Sequence, residues 1–206
     1  MDYSLNRRLM VERHLRGRGI RDERVLAAMG SIRREEFIPE ERRAEAYLDE
    51  PVRIGHGQTI SQPYITALMV ECLELKGTER VLEVGAGCGY HAAVLAALAA
   101  SVITVEVIPE LAAMARRNLA GVPNVTVVDA GGVLGYPEGA PYDAISVAAA
   151  AEEIPAALVD QLADPGRMVI PVGSRSDQEL RVVRKKDGKI EWRVAAYCVF
   201  VPLVEP

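Results

Sequence analysis

The residues best suited to chemistry stand at four places along the chain. Residues 55–63 read GHGQTISQP, a polar stretch with two hydroxyls, Thr59 and Ser61, and one imidazole, His56. Residues 82–90 read LEVGAGCGY, an apolar run that ends in Gly85, Gly87 and Gly89. Glu106 lies near the end of SVITVEV, and Asp129 closes NVTVVD. Glycines directly after a strand permit a tight turn and bring a ligand against the backbone. The helix start beyond them adds free N–H groups. An acid roughly twenty residues farther on commonly accepts hydrogen bonds from ribose hydroxyls, and a second acid after the next strand suits an adenine amino group. Each follows a predicted strand, and together they point to a cofactor that contains adenosine.

The elements that must position these residues read clearly from Pro63 onward. PYITALMVECLEL is a helix by its apolar spacing, RVLEVGAG a short buried strand, and YHAAVLAALAA a helix. SVITVEV, PELAAMARRNLAG, NVTVVDAGG and APYDAISVAAA follow as strand, helix, strand and strand, and IPAALVDQLADPG as a helix. GRMVIPVGS, QELRVVRKKDG and KIEWRVAAYCVFVPLV read as closing strands, with a turn at KKDGK. Strands alternating with helices indicate a doubly wound, mostly parallel α/β sheet. The helix-free end adds antiparallel edge strands. Ahead of this lie helical patterns at Ser4–Leu15 and Asp22–Met29, then a charge-dense stretch broken by Pro39. The expected organisation is one domain over residues 1–206. Residues 1–60 form a helical extension and substrate loop, and residues 61–206 form the cofactor-binding core.

Composition narrows the partners. A formal charge of −5 argues against broad charge-driven binding to nucleic acid. No stretch approaches the ~20 apolar residues that span a bilayer, and the charged start MDYSLNRRLMVERHL does not resemble a secretory signal. The expected location is the cytoplasm. Cys72, Cys88 and Cys198 lack the spacing of a disulfide framework or a zinc site, so no metal is expected.

The glycine spacing separates two cofactor classes. The dinucleotide fingerprint G-x-G-x-x-G packs its last glycine against the sheet, and Tyr90 stands at that position here. The pattern E-x-G-x-G-x-G instead resembles the first motif of S-adenosylmethionine-dependent methyltransferases. FIPEERRAEAYLDEPVRIGHGQTISQPYITALM, VLEVGAGCGYHAAVLA, GYPEGAPYDAI, EEIPAALVDQL, GRMVIPVG and FVPL then closely resemble, in order, the protein-L-isoaspartate O-methyltransferases. The resemblance runs from about Ile32 to the end.

That resemblance implies methyl transfer from S-adenosylmethionine, leaving S-adenosylhomocysteine, to the free α-carboxylate of isoaspartyl residues in damaged proteins or peptides. The ester then closes to a succinimide, which starts repair. It implies cofactor contacts at Ile60, Ser61, Glu83, Gly85, Ala86, Gly87, Glu106, Val107, Asp129, Ala130 and Gly131. Ser61 is implied as the catalytic residue, with acceptor contacts at His56, Thr59 and Ser61, and a monomer as the working unit. A serine just before a helix is also a favoured N-cap, so Ser61 has two readings at this point. The chain departs from the family where G-D-G is usual, carrying Ala130-Gly131-Gly132. Val107 and Val199 stand where arginine is common. These departures leave two alternatives open, a relative that methylates one particular aspartate in a partner peptide and a non-catalytic relative that binds cofactor or damaged protein.

Overall fold

The computed structural model describes residues 2–204. The chain opens with helix α1 (Ser4–Leu9), which runs on as a wider, π-helical stretch to Leu15. Helix α2 (Glu23–Ser31) starts where the Asp22 side chain accepts the Arg24 amide, a standard N-cap. Two short 3-10 stretches, Arg34–Glu36 and Glu40–Glu45, lead to a hairpin of β1 (Val52–Gly55) and β2 (Gln58–Ile60). The polar stretch at 55–63 is therefore a hairpin tip and its exit rather than an open connection. His56 and Gly57 form the tip with φ of 51° and 73°, the pair of left-handed residues that tight hairpins require.

The remaining elements are α3 (Pro63–Cys72), β3 (Arg80–Val84), α4 (Tyr90–Ala96), β4 (Ser101–Glu106), α5 (Pro109–Asn118), β5 (Val125–Asp129), β6 (Tyr142–Val147), α6 (Ala156–Gln161), β7 (Leu162–Gly173), β8 (Gln178–Lys186) and β9 (Lys189–Cys198). The seven-stranded sheet runs β5-β4-β3-β6-β7-β8-β9. The first five strands are parallel, and β8 and β9 add antiparallel. The chain reverses its direction of travel across the sheet between β3 and β6, so the site expected of such a fold lies beyond the carboxyl ends of these strands.

Two predicted elements change. The helix read through IPAALVDQLADPG stops at Gln161, and Leu162 already belongs to β7. Pro165 cannot continue a helix and biases Asp164 toward extended backbone. The last strand ends at Cys198 rather than running through FVPL. Residues 199–204 instead turn back over the sheet, where Ala150 N donates to Val201 O at 2.8 Å and Leu203 N donates to Ala150 O at 2.7 Å. The N-terminal elements share the main apolar core, since Met10, Leu15, Leu26 and Met29 pack in one cluster with Met69, Leu95 and Val169.

Candidate active site

Beyond β3, the glycine loop folds back on its neighbour. Gly85 N and Ala86 N both donate to Val105 O, at 2.9 and 3.1 Å. Gly87 has φ of 53°, and a Cβ there would lie 3.3 Å from Ile54 of the hairpin. At Gly89 a Cβ would come within 2.8 Å of Leu119, so this glycine seats α4 against α5 and its role is packing.

Glu106 ends β4 with its carboxylate on the loop. Its Oε2 accepts from Gly87 N at 2.8 Å, and its Oε1 accepts from Val107 N and Ile108 N, both at 3.0 Å. One nearly buried anion thus fixes the glycine loop and the start of the next crossover together. Ionised oxygens accept such bonds strongly, and Oε2 keeps a lone pair for a ligand.

An elongated cavity follows these strand ends. Gly85, Ala86 and Gly87 line it, as do Glu106, Val107 and Ile108, with Ala130, Val133, Leu134 and Gly135 farther along. Thr59, Ile60 and Ser61 border it too, together with His91 and residues 201–204. A second cavity of about 450 Å³ adjoins the first and is lined by Thr59, Ser61, Gln62, Ala148, Tyr197, Val199 and Val201 among others. Thr59, Ser61, Ala148 and Val201 line both. A group held in one cavity therefore meets a group held in the other beside two hydroxyls.

Ser61 does not cap α3. The helix starts at Pro63, Gln62 occupies the cap position, and no side chain caps it. The Ser61 carbonyl instead accepts from Arg34 Nη2 at 2.7 Å.

Below the loop runs a buried polar row across the sheet, since Thr104 and Ser146 flank Glu83 in register. Glu83 is fully buried and accepts from the Thr104 hydroxyl, while its Oε1 has no partner among the described residues. Burial, aided by the charge of Glu106, pushes its pKa up to about 8 against the pull of Thr104. His91 Nε2 lies 3.1 Å from Ser146 Oγ. Loss of solvent pushes that imidazole down to about 4, so it is neutral near pH 7.

Several residues singled out in the sequence lie outside the cavity lining. Glu83 supports the loop from beneath. His56 is exposed at the hairpin tip. Asp129 is exposed and pairs with Arg116 at 2.8 Å, and Gly131 is exposed next to Ala130. The apolar walls at Ile108, Leu111, Val133, Leu134 and Ala148 went unnoticed in the sequence, because an apolar residue at a strand end has the same signature as core. Arg34 was hidden among solvated charges, and nothing in its sequence context marks it as buried.

A family profile described as Protein-L-isoaspartate(D-aspartate) O-methyltransferase (PCMT) matches residues 5–206. A protein-L-isoaspartate O-methyltransferase of Methanoculleus marisnigri is 53% identical over 197 residues, covering 95% of this chain and 90% of that protein. A second, from Marinobacter nauticus, is 55% identical over 207 residues and covers 98% and 94%. Among solved structures, a Plasmodium falciparum chain assigned to the same family and bound to S-adenosyl-L-homocysteine superposes with a TM-score of 0.82 at 29% identity, covering 97% of this chain and 99% of that one.

Proposed function

The chain belongs to the protein-L-isoaspartate O-methyltransferase family, and from that premise we propose how its site works. The enzyme moves a methyl group from S-adenosylmethionine to the free α-carboxylate of an L-isoaspartyl residue in a damaged protein or peptide. The observation that carries this reading is the shared wall of the two cavities, where Thr59 and Ser61 face both.

The residues present suit the cofactor. The Glu106 carboxylate offers an acceptor to ribose hydroxyls, the glycine loop admits close approach of the amino-acid part, and Val107, Ile108, Leu111 and Leu134 suit an adenine face. When bound, S-adenosylmethionine supplies an electrophilic methyl on a sulfonium. The protein's own task is to bind, orient and exclude water. The acceptor is already ionised near pH 7, so no base has to remove a proton from it. Neutral His91 is consistent with that economy.

The hydroxyls of Thr59 and Ser61 donate to the acceptor carboxylate and aim one oxygen at the methyl group. Orientation of this kind contributes several kcal/mol to a displacement. Among the described residues no charged side chain lines the second cavity. A lysine or arginine in direct contact would hold the reactant anion more tightly than the transition state, in which that charge is disappearing, and so raise the barrier. The reading takes one chain as the working unit and damaged proteins of the cytoplasm as partners, without nucleic acid or membrane. The exclusion of nucleic acid rests on the net charge of −5.

The test is incubation with methyl-labelled S-adenosylmethionine and an isoaspartyl peptide, beside its normal aspartyl counterpart. Base-labile label in the isoaspartyl peptide alone is expected. No label in either peptide sinks the reading.

A further inference from the structure

Arg34 sits on the turn Arg34–Glu36 and is wholly buried. Its Nε donates to Ala46 O and its Nη2 to Ser61 O, both at 2.7 Å. The centre of the guanidinium lies 4.9 Å from the centroid of the Tyr90 ring, and Tyr90 is the first residue of α4, directly after the glycine loop. Among the described residues no carboxylate accompanies this cation, and its Nη1 is buried without a partner. A buried charge without a counter-ion is costly, and an apolar side chain of similar volume would fill the space more cheaply. Lysine would not replace it, because only the planar fork reaches two carbonyls while lying against an aromatic face. The three groups it joins come from separate parts of the chain. They are the extension at Ala46, the acceptor segment at Ser61 and the helix that follows the cofactor loop.

We propose that Arg34 is a positioning residue for methyl transfer: it clamps the Ser61 peptide to the start of α4, so that the Ser61 hydroxyl stays in register with the cofactor loop. It touches neither reactant and acts through the Ser61 backbone. The role as a positioning residue rests on the methyltransferase reading above, whereas the clamp itself does not.

The full chain is prepared as wild type, Arg34→Lys, Arg34→Met, Ser61→Ala and Arg34→Lys/Ser61→Ala. Turnover of an isoaspartyl peptide, S-adenosylmethionine affinity by calorimetry and amide hydrogen exchange across residues 59–62 are then measured. Expected for Arg34→Lys is a fall in kcat of roughly tenfold, and for Arg34→Met roughly a hundredfold, the scale of a misoriented reactant. Cofactor Kd stays within about threefold, as the loop and Glu106 are untouched. Exchange at 59–62 accelerates. In the Ser61→Ala background Arg34→Lys costs much less than in wild type, because the hydroxyl it positions is gone.

Full kcat in Arg34→Lys, equal losses in both backgrounds, unchanged exchange, or cofactor affinity falling in step with kcat would each overturn the proposal. If Arg34→Met does not fold, Arg34→Lys decides. A lysine variant that also fails to fold overturns it, since the residue then serves folding alone. Inactive wild type counts against the methyltransferase reading, and the exchange measurement still tests the clamp.

Discussion

At the scale of single residues, the site separates holding from reacting. Glu106 spends three of its acceptor positions on backbone N–H groups before any ligand arrives, so the ribose contact we propose for it would be made by a group that is already rigid. The adenine end is less well provided. The family's usual aspartate is missing at Gly131, and Asp129 is turned toward Arg116. A Cβ at Gly131 would meet nothing within 4 Å, and the backbone there is not in the left-handed region. Gly131→Asp should therefore be accommodated and should tighten S-adenosylmethionine binding by about tenfold, the lower end of a hydrogen bond to a charged group. Calorimetry on the two proteins checks this, and an unchanged Kd would show that the loop does not bring residue 131 to the adenine.

At the scale of elements, the cavity wall depends on a bracket outside it. Gln161, the last residue of α6, is buried; its Nε2 donates to Leu134 O and its Oε1 accepts from Tyr136 N, both at 2.8 Å. This one amide fixes the Leu134–Gly135 wall to a helix. Gln161→Ala leaves two backbone groups unsatisfied. It should cost about 1–3 kcal/mol in urea unfolding and weaken cofactor binding severalfold by calorimetry. Elements such as α5 and β4 were legible in the sequence because their apolar periods are long and regular. So were the glycine loop and Glu106, whose chemistry is tied to position along a strand. The hairpin at 52–60 was not legible, since a four-residue and a three-residue strand carry too few alternations to register. Gln161 and Arg34 were hidden for a different reason. Nothing local reveals that a polar side chain will be buried, because the carbonyls that satisfy it are distant in the chain.

At the scale of the whole molecule, stability and site share one buried row. Glu83, held protonated to about pH 8, opposes folding as pH rises, because the unfolded chain gives up that proton from about pH 4.5. His91 has the opposite sign, since the unfolded chain takes up a proton below about 6.5 that the folded chain refuses down to about 4. The two offset each other at mildly acid pH and leave a net loss of stability between about 6.5 and 8. The melting temperature should fall across that window in wild type, and Glu83→Gln should flatten the fall. Melts at a series of pH values decide it, and an identical slope in both proteins would remove Glu83 as the cause. The walls around this row have different origins. The glycine loop and Glu106 come from the middle of the chain, while the early hairpin and the strip at 197–204 close both cavities. A fragment clipped ahead of that strip would keep the glycine loop and Glu106 but lose a wall of both cavities.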